Sequence, residues 1–351
     1  MSNELDFGRR VHHLSLGNYF SGIFDRRGLI VTAALMVLVL GVGATATLLG
    51  EASLGITDVW QVATGQGSQY ANLVIGEWRF PRILTAIVFG AALAVSGAIF
   101  QSLTANPLGS PDIIGFQTGA YTGAIIVLLV LRGGMYATIA GALCGGVATA
   151  IVVMSLAQRR GRVSALRLIV VGIAISAFMS AINSWMLLKV SEEDAIMASL
   201  WGAGNLSGAA WETAIPAAIL IAILLGASGF LVRPLGILAM GKDIAIAVGL
   251  RVRRLQLSAI LVALSLTAIS TAIAGPISFV ALAAPQIAKR LTRTAEIPLA
   301  ASMATGSLLL VLADVVAQHI YPASPLPVGL MTTAIGGFYF LWLLIHEGLR
   351  Q

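Results

Sequence analysis

Charge is missing from eight long stretches of this 351-residue chain: 28–50, 83–111, 113–131, 133–158, 168–188, 213–232, 255–288 and 297–313. About 20 consecutive apolar residues let a helix cross the hydrocarbon core of a bilayer. Inside that core every backbone N–H and C=O needs an internal partner, so crossing segments are helices or closed barrels. Uninterrupted runs of this length mean helices. The fold class expected is therefore all-α, a polytopic membrane protein. Only 10% of the residues are charged, against about 25% in soluble proteins. The apolar run that follows the first 27 residues is too long for a signal peptide and lacks a small-residue cleavage site, which predicts an uncleaved first span.

Two of the runs are too long for one helix. Gly275-Pro276 divides 255–288, because proline removes a donor and its ring obstructs the preceding turn. Run 83–111 ends in "TANPLGSP", whose prolines and glycine mark a break. Ten spans result, near 28–50, 83–103, 112–131, 134–157, 167–188, 212–232, 255–274, 276–291, 297–318 and 327–346. With both termini in the cytoplasm, this division leaves only Arg79, Arg82, Arg132 and Lys189 of the 21 Lys and Arg residues outside. That is the positive-inside bias, and a miscount by one span would scramble it. The net charge of +6 is thus topological, and no basic face for nucleic acid is expected.

Several chemistries are excluded. "GILAMGKD" (236–243) is a near miss to the phosphate-binding P-loop, but Asp243 stands where a hydroxyl should hold Mg²⁺ and no buried strand precedes it. The chain is not expected to hydrolyse ATP or to act as an enzyme, and no cofactor is implied. His12, His13, His319 and His346 do not fall at metal-ligand spacing with a second donor inside a span. Cys144 cannot form an internal disulfide and is expected as a small core residue at a helix contact. Asp314 is the one acid expected inside a span. It lies about five residues from the outer end, roughly 7 Å at 1.5 Å per residue, where interfacial water or a helix end can satisfy it. A proton relay is the functional alternative.

Other segments carry local signals. "GAYTG" (119–123) and "GALCG" (141–145) are small-xxx-small patterns that let helices approach closely. The outer segment 189–211 holds "AIMASLW", too short to span and suited to a brief surface helix. In "RFPR" (79–82), Pro81 restricts Phe80 to an extended conformation, so both arginines are expected at the outer surface. They either anchor the span at the headgroups or meet carboxylates of an acidic partner. "GKDIAIAVGL" (241–250) is a glycine-bounded, half-polar element between two greasy stretches. From the residues alone it is either an amphipathic interfacial linker or a docking helix for a soluble partner, with Ile244, Ala245, Ala247 and Val248 filling the partner's groove.

Four stretches together resemble the FecCD family, the permease subunits of bacterial ABC importers for iron-siderophores and cobalamin. They are "RFPRIL" (79–84), "GAALAVSGAIFQSLTANPLGSPDIIGFQTGA" (90–120), "GKDIAIAVGL" (241–250) with "AGPISFVALAAPQIAKRL" (274–291), and "LPVGLMTTAIGGFYFLWLL" (326–344). "NPLGSPD", "GFQTGA", "NSWMLLK" and "ADVVAQ" carry a closer likeness to the family's ferric-enterobactin branch. The resemblance implies a BtuC-like type II permease of ten helices over 28–346, with a cytoplasmic segment 1–27 and an ATPase-coupling element within 233–254. It implies import of a ferric siderophore, of catecholate type, in the bacterial cytoplasmic membrane. The partners it implies are two copies of an ABC ATPase, a second related permease, a substrate-binding protein on the outer face and the surrounding lipid. Cobalamin, haem or hydroxamate cargo is the alternative within the family, and an ion-coupled secondary transporter the alternative outside it.

Site residues transfer by position. Gly241, Asp243, Ala245 and Gly249 match the coupling element, although relatives often have an acid where Lys242 stands. Arg79 and Arg82 match arginines that meet acids of the binding protein, and a third family arginine falls at Gln318. Asn106 and Leu108 match an inner constriction of the pathway. Ala165 and Leu166 match a second one, an apolar ring that closes by excluding water.

Overall fold

A computed structural model describes residues 11–16, 20–49, 54–159, 162–163, 165–294, 297–321 and 324–348. The polar N-terminal stretch carries a hairpin that its charge pattern does not announce: β1 (Val11–Leu16) pairs antiparallel with β2 (Phe20–Asp25). A second, two-residue pairing joins β3 (Gln158–Arg159) to β4 (Arg162–Val163). Every other regular element among the described residues is helical. In chain order they are α1 (Arg26–Leu48), α2 (Ile56–Ala63), α3 (Gln69–Ala71), α4 (Phe80–Thr104), α5 (Phe116–Ile125), α6 (Met135–Ala157), α7 (Ala165–Leu187), α8 (Glu192–Gly202), α9 (Trp211–Gly229), α10 (Val232–Ala239), α11 (Lys242–Ala247), α12 (Val252–Ala274), α13 (Val280–Thr292), α14 (Leu299–His319) and α15 (Val328–Gly348).

Among the described residues seven helices are long and apolar enough to cross a membrane: 26–48, 69–104, 135–157, 166–187, 211–229, 252–274 and 299–319. The other three expected spans coincide with α5 and its π-helical extension to Val130, with α13, and with α15. Length and hydropathy therefore support seven crossings and do not by themselves establish ten. The two breaks fall where proline and glycine place them. α12 ends at Ala274 before Gly275 (φ +71°), and α4 ends at Thr104, capped by Ala105 (φ +48°), before the 3₁₀ turn Pro111–Ile114. The short apolar patch of the outer segment forms α8.

One local expectation fails. Phe80 is not extended; it is helical, at φ −61° and ψ −50°. Between α3 and α4 the chain runs through a π-helical stretch, Asn72–Arg79, and Phe80 N–H donates to Ile75 C=O. That i→i+5 register absorbs the crowding that proline imposes on its predecessor. Pro81 sits in the first turn of α4, where its missing donor breaks nothing. The result is one helical unit over Gln69–Thr104.

α4 is the axis of the bundle. Phe89 through Gln101 are all buried, under α9, α12, α13 and α14. Small residues make this possible. A Cβ on Gly90 would collide with the Gly306 backbone of α14, and one on Gly97 with the Ala281 backbone of α13. Ser96 Oγ donates to Ala263 C=O at 2.7 Å, tying α4 to α12. The two small-xxx-small patterns meet each other: Gly119 and Gly123 of α5 lie against Gly141 and Gly145 of α6. Cys144 stands next to this seam but on another helix face, and it is exposed; the expectation of a core cysteine is wrong because Thr138, Ala142, Gly146 and Thr149 occupy the buried face.

Gly97→Ala should drive Cβ into the α13 backbone and destabilise the bundle by about 1–3 kcal/mol, the usual range for overpacking. Gly226→Ala on α9, where nothing lies within 4 Å, should be neutral or mildly stabilising. Thermal unfolding of the two detergent-purified variants checks the contrast, and equal melting temperatures would contradict the close-packing account.

Candidate functional site

At the end of the bundle expected to face outward, called the outer end below, Arg82 on α4 meets Asp314 on α14. Arg82 Nη2 donates to Asp314 Oδ1 at 2.8 Å and Nε to Oδ2 at 3.0 Å. Gln318 Nε2 donates to the same Oδ2 at 2.8 Å. The side chains are 15% and 5% exposed. Such a two-pronged guanidinium–carboxylate pair fixes direction as well as distance. Arg82 Nη1 reaches Ser207 Oγ, in the α8–α9 connection, at 3.3 Å. Arg79 Nη1 donates to Thr47 C=O in the last turn of α1 at 2.6 Å. The sequence suggested interfacial water or a helix end as the partner of Asp314. The structure gives it Arg82 instead, 232 positions away, so neither group is a free rim charge.

Beneath this clasp the α12–α13 break lies inside the bundle. Chain reversal here would strand backbone carbonyls, and amide side chains from other helices meet them. Gln117 Nε2 on α5 donates to Ile277 C=O at 3.1 Å. Gln101 Nε2 on α4 donates to Leu282 C=O at 3.0 Å and is itself held by Gln286 Nε2 at 2.7 Å through its Oε1. The break is further closed by Asn205 N–H to Ala274 C=O at 2.7 Å and by Gly329 N–H to Gly204 C=O at 3.1 Å. Asp112, at the foot of the first break, accepts from the backbone N–H of Phe279, while its Oδ1 has no partner among the described residues. None of these polar residues was singled out from sequence. The available signal was the break itself, since any mid-bundle break requires donors for its carbonyls.

Two cavities flank the break. The outer one, about 450 Å³, is walled by α5, α7, α15, the 202–203 turn and the broken segment. The inner one, about 830 Å³, lies between the inner ends of α4, α10 and α13 and is bordered by Asn106, Gln286, Lys289 and Arg290. Asn106 Oδ1 accepts from Leu108 N–H at 2.9 Å, which shapes the turn after α4. Leu108 is exposed, as is Leu166 at the start of α7. Ala165 begins α7, but its side chain lies outside the described residues.

The half-polar element forms α11, bounded by Gly241 (φ +125°) and Gly249 (φ +84°). Ala245 is fully buried against its own chain, so its expected place in a partner's groove is corrected: it anchors the helix. Ile244, Ile246 and Val248 are 50%, 61% and 62% exposed. Lys242, Asp243 and Ala247 are exposed beside them. A short helix with its small residue inward thus offers an apolar patch edged by two opposite charges.

The model of the FecCD transport family matches residues 35–346. The chain is 43% identical over 332 residues to the ferric enterobactin transport system permease protein FepG of Escherichia coli (strain K12), covering 94% of this chain and all of that protein. It is 33% identical over 328 residues to the iron(3+)-hydroxamate import system permease protein FhuG of Bacillus subtilis (strain 168), covering 90% and 97%. It is 32% identical over 319 residues to the hemin transport system permease protein HmuU of Yersinia pestis, covering 89% and 94%. A solved metal-chelate type ABC transporter in an inward-facing conformation superposes with a TM-score of 0.81 at 25% identity, over 91% of this chain and 99% of the other.

The clasp generates its own test. Asp314→Asn leaves Arg82 without its counter-charge and should cost about 3–5 kcal/mol, the range for breaking a buried pair from one side. Asp314→Asn combined with Arg82→Gln should recover part of that loss, because no unpaired charge is left. A double-mutant cycle on thermal stability reads the coupling; additive single effects would show that the pair does not hold α4 to α14.

Proposed function

The chain belongs to the FecCD transport family, and from that premise we propose that it is the permease subunit of an ATP-binding-cassette importer carrying a ferric siderophore, of catecholate type, into the cytoplasm. The observation that carries this reading is the 43% identity across the whole length of a ferric enterobactin permease. In this reading the chain is a multi-pass protein of the bacterial inner membrane with both termini in the cytoplasm. Its organisation is a cytoplasmic segment 1–27 and a permease domain 28–346 that includes the coupling element 233–254.

The partners follow from the same premise. Two copies of an ABC ATPase sit below the membrane, and a related permease completes a heterodimer whose interface encloses the pathway. A substrate-binding protein delivers the chelate from outside. ATP and ADP states of the ATPase favour different permease conformations, and the difference in affinity shifts the equilibrium between them. Residues 241–250 transmit that shift. The exposed Ile244, Ile246 and Val248 support this role, with Asp243 at the edge and the two glycines setting the angle. Asn106, Leu108, Ala165 and Leu166 form the inner constrictions. Arg79 and Arg82 belong to the docking rim for the binding protein, with Arg82 acting from its place on Asp314.

Co-purification of the complex tests the reading as a whole. ATP hydrolysis in proteoliposomes should rise with a ferric catecholate presented by the binding protein, and less with hydroxamate or haem. A chain that purifies alone and transports without ATP would contradict it.

Gly249→Leu should abolish coupled uptake while the protein still reaches the membrane. The reason is backbone conformation and not crowding, since nothing lies within 4 Å of that position and φ is +84°. Leucine there is strained, and the α11–α12 turn must re-aim the helix. Gly249→Asn, which tolerates a left-handed conformation better, should retain more uptake. Normal uptake in the leucine variant would refute the coupling role.

A further inference from the structure

Helix α2 (Ile56–Ala63) has more apolar surface than its own chain covers. None of its residues is buried, yet Ile56, Val59, Trp60, Val62 and Ala63 are all apolar. One apolar side packs inward. Val62 Cγ1 stands 3.6 Å from where a Cβ on Gly76 would be, and a Cβ on Gly67 would strike Val62. Asn72 Nδ2 donates to Gly67 C=O at 2.9 Å and locks the turn that follows α2. A second apolar side has nothing against it. At about 100° per residue, Trp60 lies nearly opposite Val62, and Ile56, one turn earlier, shares its side. Ile56 and Trp60 are 73% and 71% exposed. Ala63 is exposed beside them, and Thr57 and Gln61 form a third, polar side that is also exposed. A helix that met only water would be polar wherever it left the core.

The height of α2 points to what covers the second side. The uncharged part of α1, 28–48, is about 31 Å long at 1.5 Å per residue, close to the hydrocarbon thickness of about 30 Å. Its last turn therefore stands at the outer edge of the hydrocarbon. Arg79 Nη1 donates to Thr47 C=O in that turn, so Arg79 marks the same level. Gly76, against which Val62 rests, lies three residues earlier, at most about 4.5 Å farther out. The headgroup layer is about 5–7 Å deep on each side of the bilayer. α2 thus sits at headgroup depth. It packs against α1, whose Val37, Leu38 and Leu40 are exposed and apolar. Trp78, beside Arg79, is 59% exposed at the same level, and tryptophan favours this layer.

We propose that α2 is an interfacial anchor: Ile56 and Trp60 insert among the phospholipids of the outer leaflet, at the boundary of headgroup and acyl chain. The lipid it takes need carry no charge. Segment 51–78 contains Glu51, Asp58 and Glu77 and no lysine or arginine, so nothing there attracts an anionic headgroup. Asp58 is turned to the start of its own helix, where Oδ2 accepts from Gly55 N–H at 2.7 Å. Holding is by apolar burial alone. Through Val62 and Gly76 the anchor fixes the outer end of the helical unit that carries Arg79 and Arg82, so the bilayer surface sets the height of that rim. The inference needs a membrane at this level and no particular cargo.

The sequence has one cysteine, Cys144, so Cys144→Ser combined with Ile56→Cys or with Gln61→Cys leaves a single thiol for a nitroxide, with Trp60 in place. The complete transporter is reconstituted in zwitterionic phospholipid. Its label is probed by collision with oxygen, which concentrates in lipid, and with a water-soluble nickel chelate. The oxygen-to-nickel accessibility ratio should be about tenfold higher at position 56 than at position 61, as burial of about 5–10 Å requires. Ala63→Cys, on the apolar side, should follow position 56 and covers the case that a label at 56 disturbs the helix. Replacing part of the lipid by anionic lipid should leave the ratio unchanged. Equal ratios at 56, 61 and 63 would put α2 in water and overturn the proposal. Protection of position 56 from both reagents would overturn it too, since a protein then covers the face: the second permease, or the binding protein if protection appears only when that is added. A ratio that rises only with anionic lipid would equally overturn it. None of these outcomes touches ATP-driven uptake, so the importer reading stands or falls separately.

Discussion

A carbonyl released from a helix inside hydrocarbon has no water to turn to, and most of this structure answers to that constraint. The α12–α13 break frees backbone groups in the middle of the bundle. Gln117 is drawn from α5 to meet the Ile277 carbonyl, the 204–205 turn descends to bond Ala274, and Gln101, oriented by Gln286, ties α4 to the first turn of α13 at Leu282. Those contacts in turn require glycine. Gly204, Gly275 and Gly329 sit where a side chain would strike the backbone of Pro276, Trp201 and Ala203 respectively. Both cavities lie on either side of this repaired break, so the space available to a ligand is set by how the break is satisfied.

What the sequence disclosed was what local patterns encode. Uncharged runs placed the helices, Gly275-Pro276 and "TANPLGSP" placed the breaks, and the glycines at 119, 123, 141 and 145 marked a seam that joins α5 to α6. Gly241 and Gly249 bounded a short helix as expected. What stayed hidden was long-range or a matter of register. Arg82 and Asp314 are 232 positions apart, and nothing near either residue names the other. Pro81 correctly warned of crowding, but the π-helical stretch before it removed the strain without breaking the helix. Ala245 read as part of an apolar patch because a six-residue helix has too few turns for its inward side to be read from spacing alone.

The proposed coupling element shows how little sequence is needed to present a surface. Ala245 is the only buried residue of α11. One small inward residue lets the helix lie close to α10 and α12, and its larger neighbours then have nowhere to go but outward. In the proposed orientation Ile244, Ile246 and Val248, all exposed, face the cytoplasm and not lipid. An unpartnered apolar patch of that kind is the expected signature of a protein contact. The flanking glycines, both at positive φ, fix the helix at an angle that ordinary residues would not hold.

The charges divide by origin in a way that bears on how partners are recognised. In the expected orientation Lys289 and Arg290, at the larger crevice, follow from the positive-inside bias and need no ligand to explain them. Outside arginines do need a reason. Arg82 has one in Asp314, and Arg79 has one in the Thr47 carbonyl at the C-terminal end of α1, where a cation complements the helix dipole. The fold therefore places both arginines before any partner arrives. A docking carboxylate would not have to displace Asp314, because that pair engages only the Nε and Nη2 side of the guanidinium. The Nη1 side carries a single long contact, to exposed Ser207 at 3.3 Å. An acid approaching there would bond a guanidinium already held in position, with little further loss of side-chain freedom. It would also draw on Ser207, in the connection that runs down to the broken segment, so that docking and the outer cavity share one short stretch of chain.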